Sequence, residues 1–501
     1  MNATLLTDGY KLDHRRQYPK GTEYVYSNWT PRSNEYFPQA REGVVVFGIQ
    51  YFIKKYLIEY FNNHFFNLRK EDAVKSFSRR VDTFLGSDNG VGAEHIEALW
   101  DLGYLPICIK ALPEGSICPI RVPMLTIKNT HPDFFWVTNF LETIMSCELW
   151  LPMTSATTAR VYRKELERHA KKTGFYADPN VMLGFLCHDF SMRGMAGLEA
   201  SITSGMGHLT SFIGSETIPA INAVEQYYNA DAEKELIAAT VPATEHSVMC
   251  AGGMDDEFGT FKRLITELYP KGFVSIVSDT WDLWKVVSDY IPRLKNEILS
   301  RDGRLVIRPD SGNPVHIICG YTEEELEGTY EEGSLEEQKG VYELLWDIFG
   351  GTINEEGYKV LDPHIGVIYG DSITLERQQE IYRRLEEKGF AATNLVLGIG
   401  SYTYQYRTRD SLGFAMKATW CQINGVPREI FKQPKTDNGM KNSLKGLIQV
   451  LQDMDGNYYA KDCVTPEEEK HGCLEEIFVD GKLVRETSLS VIRQRLQSNL
   501  D

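Results

Sequence analysis

The sequence predicts an α/β protein with a (β/α) barrel-like core and an additional, mostly β domain formed by the N- and C-terminal segments. In the middle of the chain, short β-branched apolar runs alternate with amphipathic segments, a pattern typical of βα units that build a parallel sheet. The clearest runs are FVSIVSD (273–279), RLVIRPDSG (304–312), HIGVIYGDS (364–372) and TNLVLGIGS (393–401). Two earlier segments fit the same pattern, GFLCHDFSMRG (184–194) and ATVPATEHS (239–247). We therefore expect residues 151–420 to contain the barrel and its active site.

The two ends of the chain predict the additional domain. The first 150 residues are rich in aromatic residues and contain short strand-like runs, such as EYVYSNW (23–29) and GVVVFGI (43–49), separated by turn residues. Residues 421–501 contain another such run, LKGLIQVLQD (444–453). We expect residues 1–150 to form the mostly β domain and residues 421–501 to pack back on it.

Composition indicates a globular, soluble protein of a reducing compartment. Apolar residues make up 42% and charged residues 25% of the 501 residues, and the formal net charge of −17 disfavours nucleic-acid binding. The nine cysteines are scattered without a CxxC pair, which is typical of reduced thiols. No apolar run approaches the ~20 residues of a membrane span, and the first residues lack the apolar core of a signal peptide. We expect a cytoplasmic protein that binds neither nucleic acid nor membrane.

One segment reverses the acidic balance. Residues 405–445 contain eight basic and three acidic residues, a local excess of five positive charges. Composition leaves two interpretations open, a solvated loop or a clamp for a small phosphorylated ligand.

Charged residues cluster where the predicted barrel strands end. In parallel α/β sheets, ligands bind at the C-terminal ends of the strands. The residues predicted at these ends are Asp189, Arg193, His246, Asp279, Arg308, Asp310, Asp371 and Gly400. A purely structural role does not explain so many charges on one rim, so their convergence is the strongest functional indication in the sequence.

The rim lacks the common nucleotide, hydrolase and metalloprotease motifs. The sequence contains no GxxxxGK[ST], GxSxG, HExxH or GxGxxG. Asp279, Asp310 and Asp371 suit Mg²⁺ or the hydroxyls of a ribose, although any one of them could instead cap a helix. Gly370 and Gly400–Ser401 would let backbone N–H groups approach a phosphate. Together these residues favour a phosphorylated sugar that carries a pyrophosphate.

The motifs resemble those of nicotinamide phosphoribosyltransferases along essentially the whole chain. They are LLTDGYKLDHRRQYP (5–19), HDFSMRG (188–194), GSET (214–217), VPATEHS (241–247), SIVSD (275–279), IRPDSGNP (307–314), YGDS (369–372) and TRD (408–410). The resemblance implies a pentosyltransferase of NAD salvage that makes nicotinamide mononucleotide and pyrophosphate from nicotinamide and phosphoribosyl pyrophosphate. It also implies an α/β barrel with an added β domain, and a homodimer whose active sites lie at the subunit boundary.

The resemblance also assigns roles to most of the candidate residues. Phe190 would stack on one face of the pyridine ring, and Tyr10 of the partner subunit on the other. Arg193 and Arg308 would flank the nicotinamide and the 5′-phosphate. Asp310 and Asp371 would hold the ribose hydroxyls, while Asp279 suits ribose or metal, so Asp279 and Asp310 are the expected Mg²⁺ ligands. Further substrate-binding residues implied by the resemblance are Asp8, Arg32, Gly370, Gly400, Ser401, Arg409, Lys417, Lys432 and Lys441.

His246 is expected to act with ATP rather than as a base. The pyridine nitrogen of nicotinamide is already a nucleophile with no proton to lose, so the transfer needs no general base. The resemblance implies that ATP phosphorylates His246, that Glu245 orients its imidazole, and that Asp310 acts with them as a catalytic residue. The alternative is a buried histidine whose nitrogens are satisfied by the backbone.

Glu216 is a departure from the resembled pattern, which has an aspartate that accepts a hydrogen bond from the substrate's amide. Glutamate keeps the charge that attracts the amide and repels the carboxylate of nicotinate, but it reaches further. The alternative is a first-turn glutamate of the helix IPAINAVEQYY. In a second departure, Ser401 and Tyr402 replace a run of glycines.

Three other functions stay open at this point. A nicotinate phosphoribosyltransferase would share the phosphoribosyl machinery, and Glu216 argues against it. A metal-dependent aldolase or isomerase barrel would need a Schiff-base lysine or a histidine-rich metal site, and neither is found at a strand end. The third is a non-catalytic ligand-binding protein on the same fold.

Overall fold

The chain divides into two units, and the structure, a computed structural model, describes residues 1–175, 179–327, 334–370, 372–431 and 444–498. Unit 1 contains Met1–Thr157, Ala223–Ala230 and Arg407–Asp501, and unit 2 contains Thr158–Asn222 and Asp231–Tyr406. The expected boundaries at residues 150 and 420 therefore differ from those of the units, which lie at 157 and 407. The short segment Ala223–Ala230 was not expected to join the terminal segments.

The strands follow the chain in three groups. The N-terminal part of unit 1 contains β1 (Thr22–Thr30), β2 (Val44–Val45), β3 (Ile107–Ala111), β4 (Ile117–Cys118) and β5 (Leu125–Asn129). Unit 2 contains β6 (Cys187–Asp189), β7 (Gly214–Ser215), β8 (Lys271–Val277), β9 (Asp302–Arg308), β10 (Gly351–Ile353), β11 (Lys359–Leu361), β12 (Ile365–Tyr369) and β13 (Leu395–Ile399). The C-terminal part of unit 1 contains β14 (Ala415–Ile423), β15 (Val426–Glu429), β16 (Leu447–Gln452), β17 (Tyr458–Val464), β18 (Glu475–Val479) and β19 (Lys482–Leu483).

The α-helices differ widely in length, from single turns to a helix of more than eight turns. Up to β7 they are α1 (His14–Gln17), α2 (Ile49–Phe52), α3 (Lys70–Leu85), α4 (Glu94–Leu102), α5 (Val137–Phe140), α6 (Glu142–Thr173), α7 (Pro179–Phe185) and α8 (Leu198–His208). Then follow α9 (Ile218–Tyr228), α10 (His246–Gly252), α11 (Glu257–Arg263), α12 (Leu283–Lys285), α13 (Ile291–Arg293), α14 (Lys295–Leu299), α15 (Pro314–Cys319), α16 (Glu323–Glu327), α17 (Leu335–Phe349), α18 (Leu375–Glu387), α19 (Ser401–Gln405), α20 (Pro466–Glu469) and α21 (Leu489–Gln497). None of the helices among the described residues is long and apolar enough to cross a membrane.

A parallel sheet forms the centre of unit 2. Its strand order is β7-β6-β13-β12-β9-β8, and every neighbouring pair is parallel. All five residues of β12 are buried, as expected for a strand covered on both faces. Helix α18 follows β12 and buries residues three and four positions apart, among them Gln378, Ile381 and Leu385, so one apolar stripe faces the core.

The segment around residues 239–244 joins the two edge strands of this sheet. Ala239 forms a parallel bridge with Gly214 of β7, and Ala243 forms one with Ser275 of β8. The backbone of Ser275 also donates to Pro242 O at 2.9 Å and accepts from Thr244 N at 2.9 Å. The sheet therefore curls toward closure through isolated bridges. The predicted α/β class with a barrel-like core is confirmed, although residues 239–247 do not form a full strand.

Unit 1 is built around an antiparallel sheet that both ends of the chain share. Its order is β15-β14-β1-β5-β3-β18-β19, so three strands from the first 130 residues lie in the middle and two strands that follow residue 414 lie on each side of them. Trp29 of β1 is fully buried and stacks on Phe414 with ring centroids 5.2 Å apart. The prediction of an additional domain made from both terminal segments is confirmed. Its N-terminal part also carries long helical stretches, including α3 and the run of α2 with π-helical turns over residues 49–66.

Candidate active site

The ends of β8 and β9 are tied together by one carboxylate. Asp279 lies two residues beyond β8, and its Oδ2 accepts hydrogen bonds from the backbone N–H of Asp310 at 2.8 Å and of Ser311 at 2.7 Å. Its side chain is only 6% exposed. Because two N–H donors converge on one oxygen, Asp279 fixes the turn that follows β9 and with it the position of Asp310.

The second oxygen of Asp279 faces His246. Nε2 of the imidazole lies 3.4 Å from Asp279 Oδ1, and the histidine side chain is 46% exposed. His246 begins α10 directly after the segment that joins the sheet edges, where Thr244 Oγ1 accepts from Val277 N at 2.9 Å. The histidine is therefore held beside β8 but open to solvent on its other side, which contradicts the alternative of a buried residue satisfied by the backbone.

The partner of the imidazole in this structure is Asp279 rather than the expected Glu245. Glu245 is exposed and its Oε1 accepts a hydrogen bond from the Ser247 hydroxyl two residues later. An extended backbone at Glu245 turns its side chain toward the start of α10. The resemblance implied the pair of Glu245 and His246, whereas the parallel sheet brings a carboxylate from the neighbouring strand end.

Asp310 depends on a glycine of the adjacent strand. A Cβ atom on Gly370, which follows β12, would lie 2.1 Å from Asp310 Oδ1. The N–H of Gly370 was expected to approach a phosphate, but it donates to Pro309 O at 3.3 Å. The missing side chain of Gly370 thus makes room for the Asp310 carboxylate, which also lies 3.6 Å from Nε of Arg308.

The ends of β6 and β7 are organised by a buried carboxylate, that of Asp189. Its Oδ1 accepts from Ser191 N at 2.9 Å, and its Oδ2 accepts from Thr217 Oγ1 at 2.7 Å and Ser215 Oγ at 3.4 Å. Asp189 is fully buried. The residue predicted at this strand end is therefore structural, and it fixes the chain on either side of Phe190 and Glu216.

Phe190 and Ser401 lie at the adjoining ends of β6 and β13. The backbone of Phe190 donates to Ile399 O at 2.9 Å, and the ring packs at 4.7 Å from that of His188. Gly400 directly precedes α19 and Ser401 begins it, while Arg193 is exposed in the short turn Met192–Gly194. The structure thus brings these predicted residues to the same rim of the sheet.

Glu216 lies on this rim, two residues before α9, rather than in the first turn of that helix. His188 Nε2 lies 3.1 Å from Glu216 Oε1, and the Thr240 hydroxyl donates to the same oxygen. The contact with His188 is the largest cause that lowers the pKa of the Glu216 carboxyl below its ordinary value, and the charge of Arg308 acts in the same direction. Glu216 is therefore an ionised carboxylate, 40% exposed, and suited to accept a hydrogen bond.

The predicted residues of unit 1 form separate local arrangements. Tyr10 is 63% exposed, while Asp8 Oδ2 accepts from Thr143 Oγ1 at 2.8 Å. Arg32 donates to Gly413 O at 2.9 Å, and burial together with the nearby Arg409 lowers the pKa of its guanidinium. Two cations that repel one another beside solvent favour an anion between them. Lys417 is exposed on β14.

Asp371, Lys432 and Lys441 lie outside the described residues, so their predicted roles stay predictions. Conversely, sequence reasoning missed two residues of the site, His188 and Thr240. His188 precedes the predicted strand-end residue by one position, and in a strand this alternation places it on the opposite face from Asp189. The partners of Glu216 come from β6 and from the segment after Ala239, so no local spacing could have identified them.

The carboxylates of the rim could bind a cation whose remaining ligands come from the substrate. Among the described residues no group of three or more histidine, cysteine, aspartate and glutamate side chains could hold a metal on its own. Asp279 Oδ1 is buried and has no hydrogen-bond partner among the described residues. Mg²⁺ is usually bound by one or two carboxylates together with substrate phosphates, so Asp279 and Asp310 are compatible with it.

Comparison with known families matches most of the chain. Residues 185–480 match the nicotinate phosphoribosyltransferase (NAPRTase) family, and residues 2–73 match the N-terminal domain of nicotinamide phosphoribosyltransferase. The chain is 51% identical to a nicotinamide phosphoribosyltransferase of Acinetobacter baylyi, over 100% of this chain and 98% of that protein. It is 34% identical to one of Mycoplasma pneumoniae, over 89% of this chain and 96% of that protein.

Two solved structures share the fold at low sequence identity. Human nicotinic acid phosphoribosyltransferase aligns over 99% of this chain and 93% of its own, with 16% identity and a TM-score of 0.53. A nicotinate-nucleotide pyrophosphorylase from Pyrococcus furiosus aligns over 99% of this chain and 95% of its own, with 14% identity and a TM-score of 0.55. These likenesses extend over both units and bear on the fold alone.

Proposed function

The chain belongs to the nicotinamide phosphoribosyltransferase family, and on that premise we propose that it transfers the 5-phosphoribosyl group of phosphoribosyl pyrophosphate to nicotinamide. The products are nicotinamide mononucleotide and pyrophosphate, so the reaction serves NAD salvage. The observation that carries the proposal is the linked set of Asp279, His246 and Asp310 on the rim that also holds Glu216. A non-catalytic binding protein would not need this set of charged groups fixed by one carboxylate.

The transfer breaks the bond between C1 of the ribose and pyrophosphate and forms a bond from C1 to the pyridine nitrogen. Positive charge develops on the ribose ring as the leaving group departs, so carboxylates near the sugar and cations near the pyrophosphate lower the barrier. Asp310 supplies the first, and Arg308 holds the 5′-phosphate. Phe190 and Glu216 position the attacking ring, which makes the reaction effectively unimolecular. No proton moves to or from the protein.

Mg²⁺ is part of the proposal. Asp279 and Asp310 would hold it, and when bound it would neutralise charge on the departing pyrophosphate. The assignment is supported by Asp279 Oδ1, which is buried and accepts no hydrogen bond shorter than the 3.4 Å contact with His246 Nε2.

ATP is proposed as a second phosphoryl donor that modifies His246. Because Nε2 faces Asp279 at 3.4 Å, an N–H at that nitrogen leaves the lone pair on Nδ1. Nδ1 attacks the γ-phosphorus of ATP, the bond to the bridging oxygen breaks, and ADP leaves with that oxygen. Asp279 stabilises the imidazolium character that develops, as the carboxylate of a Ser-His-Asp triad does.

The exposed cations of unit 1 belong to the same proposal. Arg32, Arg409 and Lys417 would bind pyrophosphate, and Tyr10 would cover the pyridine ring across a homodimer. Tyr10 is 63% exposed, so its ring is accessible for such a role. A cytoplasmic location is proposed from the free thiols of all nine cysteines.

A product assay tests the function. The enzyme is incubated with phosphoribosyl pyrophosphate and Mg²⁺ and offered nicotinamide or nicotinate, each with and without ATP. We expect nicotinamide mononucleotide to form selectively and faster with ATP. An acid-labile phosphate on the wild type but not on His246→Ala would support the phosphohistidine. Product from nicotinate alone would keep the phosphoribosyl machinery and overturn the assignment of the substrate.

A further inference from the structure

The carboxylate of Glu216 is held from one side only. Both of its described side-chain hydrogen bonds, from His188 and from Thr240, end on Oε1. Among the residues that the structure describes, no hydrogen bond ends on Oε2. One oxygen is therefore fixed by the protein while the other is available to a ligand.

The position of His188 in the sheet holds its imidazole beside Glu216. It lies in the middle of β6 and is only 7% exposed, whereas the carboxylate that it contacts is 40% exposed. A Cβ atom on Gly214, the residue paired with His188 across β6 and β7, would lie 2.7 Å from Nδ1 of the imidazole. The imidazole therefore occupies space that exists only because residue 214 has no side chain.

The same imidazole also contacts the ring of Phe190. The ring centroids lie 4.7 Å apart at an interplanar angle of 32°. Phe190 and Glu216 are the two residues that the proposed function assigns to the pyridine ring and its substituent. His188 thus contacts both of them.

We propose that His188 is a positioning residue that fixes Glu216 for the amide of nicotinamide and so sets the preference for an amide over a carboxylate on the pyridine ring. This inference rests on the proposed function and deepens it. A glutamate has one more rotatable bond than an aspartate, so its carboxylate needs an external anchor to keep one orientation. His188 supplies that anchor at Oε1, and Oε2 then accepts the amide N–H of nicotinamide and repels the carboxylate of nicotinate.

The test compares steady-state kinetics of the wild type with three variants: His188→Leu, Glu216→Gln and the double variant. In His188→Leu we expect the KM for nicotinamide to rise about tenfold, the effect of losing a hydrogen bond to a charged group. The preference for nicotinamide over nicotinate, measured as the ratio of kcat/KM, should fall by a similar factor. The KM for phosphoribosyl pyrophosphate should stay within about threefold, because His188 has no described contact with Asp310 or Arg308.

The double variant separates positioning from a general structural effect. If His188 acts through Glu216, adding His188→Leu to Glu216→Gln changes the nicotinamide preference little further. Independent, multiplicative losses in the double variant would overturn the inference. So would an equal rise in the KM for phosphoribosyl pyrophosphate in His188→Leu, because that pattern indicates a damaged rim rather than a misplaced carboxylate.

Two further variants keep the inference testable if His188→Leu does not fold. His188→Gln retains an N–H donor near the position of Nε2 and should recover most of the preference. Gly214→Ala keeps the histidine but pushes its ring, and should reproduce the loss. His208→Leu is the matched control, since His208 is a fully buried histidine that contacts Gly214 O at 3.0 Å and has no described contact with Glu216. It should lower thermal stability and leave the nicotinamide preference unchanged.

The substrate preference of the wild type tests the proposed function separately from the role of His188. If the wild type makes product from nicotinate and none from nicotinamide, the proposed function is wrong whatever the variants do. If the wild type prefers nicotinamide and His188→Leu keeps the full preference, only the role of His188 is wrong.

Discussion

Replacing Gly370 by alanine tests whether the glycine at the end of β12 sets the position of Asp310. The added Cβ would lie 2.1 Å from Asp310 Oδ1, whereas ordinary contacts begin at 3.4 Å, so the carboxylate must retreat by about 1.3 Å. A displacement of ~1 Å in a reacting constellation costs about a hundredfold in rate. We therefore expect kcat/KM for phosphoribosyl pyrophosphate to fall about a hundredfold in Gly370→Ala, with little change in the KM for nicotinamide.

The assay is the initial rate of nicotinamide mononucleotide formation as phosphoribosyl pyrophosphate is varied at saturating nicotinamide. Gly366→Ala is the matched control, because it adds the same methyl group within β12, where the nearest atom is in the flexible Arg304 side chain, at 3.0 Å. Its rate should stay within about threefold of the wild type, since a flexible side chain can move aside. If Gly370→Ala also stays within threefold, the Asp310 carboxylate either does not act on the sugar or is not held where the structure places it.

Three more predictions follow from buried carboxylates. Asp279→Asn removes the charge that faces His246, so the stimulation of the rate by ATP should fall about tenfold or more, while Ser247→Ala, which loosens only Glu245, should retain it. Asp189→Ala leaves the donors at Ser191 and Thr217 without their acceptor, and should lower the free energy of unfolding by about 2 kcal/mol or more, measured as a shift in thermal midpoint. Burial raises the pKa of Glu114 to about 7, so the folded state keeps a proton that the unfolded state releases near pH 4.5. The free energy of unfolding should therefore fall by about 3 kcal/mol for this group as the pH rises from 4.5 to 7, and then level off. In urea denaturation, Glu114→Gln should show a flatter dependence of stability on pH between pH 5 and pH 8.

The parallel sheet could be predicted because its strands are apolar and β-branched, and because the helices between them carry a clear period. The predicted run 393–401 contains β13, and the run 273–279 overlaps β8, which begins two residues earlier. Since parallel strands present their C-terminal ends on one edge, the rim followed directly from the strands. In contrast, the helical run over residues 49–66 was not expected, because its many aromatic residues are equally typical of strands.

Pairings between residues distant in sequence were harder to predict. The resemblance gave Glu245 as the partner of His246, yet Asp279 arrives from the end of the next strand. Similarly, Glu216 was recognised as a departure from a pattern, while its partner His188 lies 28 residues earlier. Side-chain contacts of this kind depend on strand register, and one residue of slip would reverse which side chains meet.

At two positions on the rim, Gly214 and Gly370, the absence of a side chain is what the site requires. The imidazole of His188 and the carboxylate of Asp310 each fill a volume that a methyl group on Gly214 or Gly370 would occupy. In a mutational scan these two glycines should tolerate substitution as poorly as His188 and Asp310, although neither glycine would touch a substrate. Substitutions of these two glycines can therefore only reduce the space available to a new substrate, because no side chain is smaller than that of glycine. Engineering for a bulkier pyridine would have to begin elsewhere on the rim.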